Sequence, residues 1–176
     1  MREVTLGKSG LRVPAVGFGG IPIQRLSPEE SDRVLEEAIE RVVRYTDTAR
    51  IYTDSESKMG RVLPTYKDKI VLATKSFQRE GAKVREDLET SLRELRTDRI
   101  DLYQCHNIAS EAELERALAP GGALETMVKA KEEGKILHIG ITGHKPWRAS
   151  PSKRPSSLLT TWRPRLWKSS FLSASP

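Results

Sequence analysis

Cysteine is almost missing from this chain: 176 residues contain only Cys105. A single thiol excludes an internal disulfide and fits a reducing cytoplasm, which is the expected compartment. With three histidines and one cysteine, no structural-zinc spacing exists either. Long hydrophobic runs are absent, so no membrane span is expected. Met1-Arg2-Glu3-Val4 leads into no apolar h-region, so no signal peptide is expected. The formal charge of +6 conceals a second absence, because no acidic residue lies beyond residue 144. Residues 1–144 carry 23 basic and 24 acidic side chains, whereas 145–176 carry seven basic ones alone. The body is therefore no basic nucleic-acid binder, and the high pI belongs to the tail. Phosphate-cradling motifs are missing as well. There is no Walker A sequence, and Gly17-Phe18-Gly19-Gly20 leads to Pro22 where a dinucleotide fold needs its third glycine.

Residues 1–144 alternate strand and helix signals. Val4–Leu6, a Gly7-Lys8-Ser9-Gly10 turn and Leu11–Val13 predict a β-hairpin. Parallel strands follow: Pro14–Phe18, Arg44–Thr46, Lys69–Thr74, Ile100–Cys105 and Ile136–Thr142. Ser27-Pro28-Glu29-Glu30 opens the first helix, with Ser as N-cap, Pro at N1 and Glu at N3. Leu35, Ala38, Ile39 and Val42 continue it as an apolar stripe. Val42-Val43 stand where a left-handed closing residue is usual, so that turn is either strained or built differently. A short helix spans Ser55 to Leu63, stopped by Pro64. Gly81–Arg96 places Val84, Leu88, Leu92 and Leu95 on one face. Ser110-Glu111-Ala112-Glu113 reads as a second capping box, and Gly134 closes the last helix. The interval between strands is that of a repeated βαβ unit. The fold class is α/β: a partial (β/α)8 TIM barrel, with an N-terminal hairpin and about five βα units. The chain is short for a complete barrel, which takes about 250 residues.

Residues 145–176 read as a separate, irregular basic tail. They hold eight serines, five prolines and all three tryptophans, and no helical or strand period survives there. The expectation is a chain truncated or frame-shifted after about residue 144. Five parallel strands would leave the first and fifth as open edges. That predicts a loose structure, poor solubility or self-association through those edges.

Polar residues fall at or just beyond the strand ends: Asp47, Lys75 and His106, with Tyr52 five residues past Asp47. A βα-barrel gathers the C-terminal ends of its strands at one mouth and places its chemistry there. A carboxylate, a phenol, an ammonium and an imidazole meeting at that mouth make a proton-transfer site. Taken singly, each has a plainer role: Asp47 as a turn or cap, Tyr52 as loop packing, Lys75 as a solvated charge, His106 as a structural histidine. Cys105 reads as core.

The segment from Asp47-Thr48-Ala49-Arg50-Ile51-Tyr52 to Met59-Gly60 resembles the signature of the aldo-keto reductases. So do Leu6-Gly7-Lys8-Ser9-Gly10-Leu11, Val16-Gly17-Phe18-Gly19-Gly20, Ala73-Thr74-Lys75 and Gly134-Lys135-Ile136-Leu137-His138-Ile139-Gly140-Ile141. The resemblance covers residues 3 to about 145 in the right order. It implies NADPH-dependent reduction of an aldehyde or ketone, with a tetrad of Asp47, Tyr52, Lys75 and His106. The cofactor positions it implies are Gly20, Asp47, Thr142 and Gly143.

In that scheme Tyr52 is the general acid, and the Lys75 ammonium is expected to lower the phenol's pKa from about 10. Asp47 would pair with Lys75, and His106 would orient the carbonyl. At Thr142-Gly143 the family often has Ser-Asn; Thr keeps the hydroxyl donor and Gly lacks the amide. The basic residues that grip the adenosine 2′-phosphate have no counterpart, so severely weakened cofactor binding is expected. Two other readings stay open: a non-catalytic family fragment acting through contacts, and binding of nucleic acid or an anionic surface by the tail.

Overall fold

The computed structural model describes residues 2–7, 9–143 and 160–161. A hairpin of β1 (Glu3–Thr5) and β2 (Arg12–Pro14) precedes a parallel sheet. The sheet runs in chain order: β3 (Phe18–Gly19), β4 (Tyr45–Asp47), β5 (Val71–Ser76), β6 (Ile100–Cys105), β7 (Ile136–Ile141) and β8 (Thr160–Thr161). Helices α1 (Pro28–Arg41), α2 (Ser55–Val62), α3 (Gly81–Glu94), α4 (Glu111–Leu118) and α5 (Ala123–Glu132) fill the crossovers. This is the partial TIM-barrel architecture that the sequence predicts, and no helix among the described residues is long and apolar enough to cross a membrane.

The helix caps follow the sequence closely at α1. Ser27 Oγ accepts from Glu30 N at 3.2 Å, and the Glu30 carboxylate takes Ser27 N at 2.9 Å, which closes the capping box. Only half of the second box forms. Ser110 caps Glu113 N, but the Glu113 carboxylate turns to Ala109 N at 2.6 Å. The exit from α1 is built differently rather than strained. Val42 keeps a negative φ of −155°, and the amides of Val42 and Val43 both reach Ala38 O.

Three corrections concern strands. The first barrel strand is Phe18–Gly19 and not Pro14–Phe18, because Pro14 pairs with Glu3 in the hairpin. β5 begins and ends two residues later than the sequence predicts, so Lys75 is a strand residue and not one beyond the strand. The fifth parallel strand is no open edge, because β8 pairs with it through Gly140↔Thr160 and Ile141↔Thr161. The pairing is two residues long, too brief to leave a periodic signal in sequence. The other expectations placed on residues 145–176 lie outside the described residues.

Apolar packing occurs on both faces of the sheet. Leu35, Ile39, Val84, Leu88 and Met127 on the helices, with Leu95 at the end of α3, pack against Leu72, Tyr103 and Cys105 of the strands. On the concave face Leu6 and Val13 of the hairpin cover Tyr45, Ala73 and Leu102. The hairpin therefore closes the lower half of that face, and polar groups are left to the upper rim.

Candidate active site

Strand side chains alternate between faces with period two. The register pairs Tyr45 with Val71, Asp47 with Ala73, Ala73 with Leu102, Lys75 with Gln104 and Leu102 with His138. Asp47, Lys75, His106 and Thr142 therefore share the concave face at the C-terminal ends of β4 to β7. Thr74 and Ser76, of the other parity, reach helix-borne residues instead: Thr74 bonds Glu56 of α2, and Ser76 bonds Asp87 of α3 at 2.6 Å each.

Lys75 is buried, and its ammonium donates to Asp47 Oδ2 and to Thr48 O, both at 2.6 Å. Thr48 is within reach because the chain beyond β4 keeps pairing with β5: Thr48 N bonds Ala73 O, and Arg50 N bonds Lys75 O. The loop then turns at Tyr52, whose amide reaches Ala49 O and whose carbonyl takes Ser55 N at the start of α2. This fold-back sets the Tyr52 ring 5.4 Å from Lys75 Nζ. His106 N continues the β6 pairing to Ser76 O at 2.8 Å. Its buried imidazole meets the Tyr52 ring edge-on at 5.6 Å and the Phe77 ring at 5.9 Å. All four predicted residues thus converge on one rim.

The titration of Tyr52 differs from the sequence-based expectation. Its pKa is pushed up to about 12, by burial first and by the Asp47 carboxylate second. The Lys75 ammonium is engaged by Asp47 and the Thr48 carbonyl, and burial and the Asp47 carboxylate set the direction at rest. Burial likewise pushes the Asp47 carboxyl up, against the pull of Lys75. Burial raises the Cys105 thiol to about 11, which suits a core residue touching Met127 and not a nucleophile.

The expected cofactor positions fall in two places. Thr142 ends the concave row; its Oγ1 accepts from Asn107 N at 2.9 Å and keeps its own proton to donate. Gly143 lies against the next loop, where a Cβ would come 2.8 Å from Ile108 O. Gly20 is buried instead beneath α2. Its carbonyl takes Ser55 Oγ at 2.9 Å, and a Cβ there would meet that oxygen at 2.4 Å.

Sequence reasoning assigned no role to Glu56, which is buried one helical turn beyond Tyr52. Its carboxylate takes Thr74 Oγ1 at 2.6 Å and Ser91 Oγ at 2.8 Å, and pairs with Arg50. Strand, helix and the Tyr52 loop are joined through this one side chain. The available signal was an acid on the buried stripe of Ser55, Met59 and Gly60, where an apolar residue is usual. A cavity of about 890 Å³ opens at the opposite end of the strands, beside Leu63, Ile70, Leu92, Arg96 and Asp101. It is an open cleft of mixed charge, remote from the rim groups.

Comparison with known proteins bears on this rim. The model of the aldo/keto reductase family matches residues 15–155. The Bacillus subtilis (strain 168) oxidoreductase YqkF is 32% identical over 160 residues, which is 83% of this chain and 50% of the relative. The fold is similar to the aldo-keto reductase AKR11C1 from Bacillus halodurans in its holo form, with a TM-score of 0.72 at 30% identity. That likeness covers 83% of this chain and 51% of the other. An aldo-keto reductase from Klebsiella pneumoniae, solved in complex with NADPH, gives a TM-score of 0.67 at 26% identity, over 83% of this chain and 51% of that one. The chain spans about half the length of the curated relatives it matches.

Proposed function

The chain belongs to the aldo/keto reductase family, and from that premise we propose that its rim transfers hydride between NADPH and an aldehyde or ketone. The observation that carries this reading is the buried Lys75 ammonium, 2.6 Å from Asp47 and 5.4 Å from the Tyr52 ring, with the His106 ring 5.6 Å from Tyr52.

Hydride addition to a carbonyl leaves an alkoxide that must gain a proton. Tyr52 is the donor. A phenol with a pKa near 12 is fully protonated at neutral pH, so the acid form is always at hand. Lys75, held by Asp47, places positive charge beside the phenolate as it forms and offsets part of that high pKa in the reacting state. His106 orients the carbonyl oxygen. In the reverse direction the same phenolate is the base.

The residues at the end of β7 fit the nicotinamide end of the cofactor. The Thr142 hydroxyl has a proton to donate to a carboxamide, and Gly143 adds no side chain beside it. Asp47 contributes from the end of β4. Gly20 acts indirectly, by letting Ser55 and Met59 of α2 pack against the end of β3. NADPH, when bound, supplies the hydride. The carbonyl compound is a small molecule, and the cytoplasm is the proposed compartment.

Titrating the full chain with NADPH by fluorescence, then measuring carbonyl-dependent NADPH consumption, tests the reading. Tyr52→Phe is expected to keep cofactor binding and to lose turnover by about a hundredfold or more. Equal turnover in wild type and Tyr52→Phe would refute it. Binding without turnover in the wild-type chain would favour a non-catalytic family member.

A further inference from the structure

Arg79 lies just beyond β5 and is buried, with 7% of its side chain exposed. Its guanidinium is held chiefly by carbonyl oxygens of two neighbouring rim loops. Nη1 donates to Phe77 O at 2.7 Å and to Gln78 O at 3.2 Å, after β5. Nη2 donates to His106 O at 2.9 Å and to Asn107 O at 3.1 Å, after β6. The nearest carboxylate, that of Glu113, stands 3.8 Å away and already takes Ala109 N. The Arg79 backbone is itself anchored, because its carbonyl accepts from Ala123 N at the start of α5.

From this arrangement we propose that Arg79 is a positioning residue that sets the His106 imidazole in the rim. The proposal rests on the catalytic reading of that rim. Two routes join the guanidinium to the ring. The first is the backbone. Asn107 adopts a φ of +56°, a left-handed conformation that Asn tolerates better than most residues, and it turns the chain so that successive carbonyls face one guanidinium. Thr142 fastens the other side of the same turn, since its Oγ1 takes Asn107 N and its carbonyl takes Ile108 N. His106 is thus clamped between the β5 and β7 loops. The second route is aromatic. The guanidinium lies 5.3 Å from the Phe77 ring centre, and Phe77 meets the His106 ring edge-on, as does Tyr52. The planar fork of Arg satisfies both loops at once, which a lysine ammonium with its single nitrogen does not.

The test uses Arg79→Lys and Arg79→Met in the full chain. The chain has three histidines, so the His106 Cε1 proton resonance is assigned by its loss in His106→Gln. In Arg79→Lys the His106 resonance is expected to move, because the ring shifts within the fields of Phe77 and Tyr52. kcat is expected to fall by about a hundredfold, the cost of an ångström-scale misplacement. NADPH affinity and circular dichroism are expected to stay at wild-type values. Arg79→Met should give the same resonance change; should it fail to fold, Arg79→Lys alone decides. A folded Arg79→Lys with the wild-type His106 resonance and wild-type kcat overturns the proposal. A fall in NADPH affinity matching the fall in kcat overturns it too, because that signals general loosening. If the wild-type chain shows no turnover, the catalytic reading fails separately, and the resonance still decides whether Arg79 sets the ring.

Discussion

The Lys75 ammonium stands 2.6 Å from the Asp47 carboxylate, and that carboxylate adds to burial in raising the Tyr52 pKa. Burial is the larger cause of that rise, and the Asp47 carboxylate adds to it by opposing a second negative charge on the phenol. Burial and that carboxylate together keep Tyr52 protonated at rest.

Asp47→Asn tests this directly. It removes the carboxylate that raises the Tyr52 pKa and frees the Lys75 charge, so the midpoint should fall below its present value of about 12. Ultraviolet phenolate titration reads it, with Tyr52→Phe as the blank. The phenolate fraction rises with pH, so alcohol oxidation by the wild-type chain should climb steadily above neutrality, and Asp47→Asn should move that climb to lower pH. An unshifted midpoint would contradict the assignment.

Glu56 gives a pH-dependent stability of defined sign. Burial pushes its carboxyl above the ordinary 4.5, against the pull of Thr74, Ser91 and Arg50. A raised folded-state pKa means the folded chain holds the proton more tightly than the unfolded one. Its stabilising contribution is complete below the ordinary value and is lost as pH rises through the raised one. Glu56→Gln should therefore flatten the decline in Tm as pH rises from about 4.5 toward neutrality. Parallel Tm profiles for both chains would rule this out.

Gly60 marks the closest approach of α2 and α3. A Cβ at that position would stand 2.0 Å from Glu94 O and 2.9 Å from Leu95 Cα, both backbone atoms. Gly60→Ala should cost about 3 kcal/mol in urea unfolding, since overpacking against backbone has no cheap relaxation. A stabilised variant, as expected of Gly→Ala at an open helix position, would show that the helices are farther apart.

Lys58 is a buried ammonium that donates to Ile23 O at 3.0 Å, Gln24 O at 3.3 Å and Leu26 O at 2.8 Å, and pairs with Asp54. These carbonyls belong to the segment after β3, a 3-10 helix over Pro22–Arg25 and the residue that follows it. Lys58→Met keeps the stem and leaves them without this donor, so stability should fall by roughly 2–4 kcal/mol. Limited proteolysis should cut first between Ile21 and Leu26. A wild-type unfolding midpoint would mean that another group or water replaces the ammonium.

Much of the fold was legible because its signals are local. The Ser27 box, the four-residue spacing of Val84, Leu88 and Leu92, and Gly134 at φ +76° each act within a turn or two of chain. The strand order and the Asp47–Tyr52–Lys75–His106 rim follow from those elements plus the regularity of βα units. The β5 boundary was misplaced by two residues because Ile70 is β-branched and extends the apolar run, while pairing to β4 starts only at Val71. β8 left no signal, since two paired residues have no period to read.

Sequence alone determined which residues share the concave face, because strand parity is fixed by backbone geometry whatever the surroundings. It also determined that the charge of the body nearly cancels. Only the tertiary structure decided that Tyr52 titrates high, that Glu56 is buried among hydroxyls and that Arg79 grips two loops. Those facts depend on desolvation and on contacts between segments far apart in the chain. The residues adjoining a group in sequence carry neither its dielectric surroundings nor its distant hydrogen-bond partners.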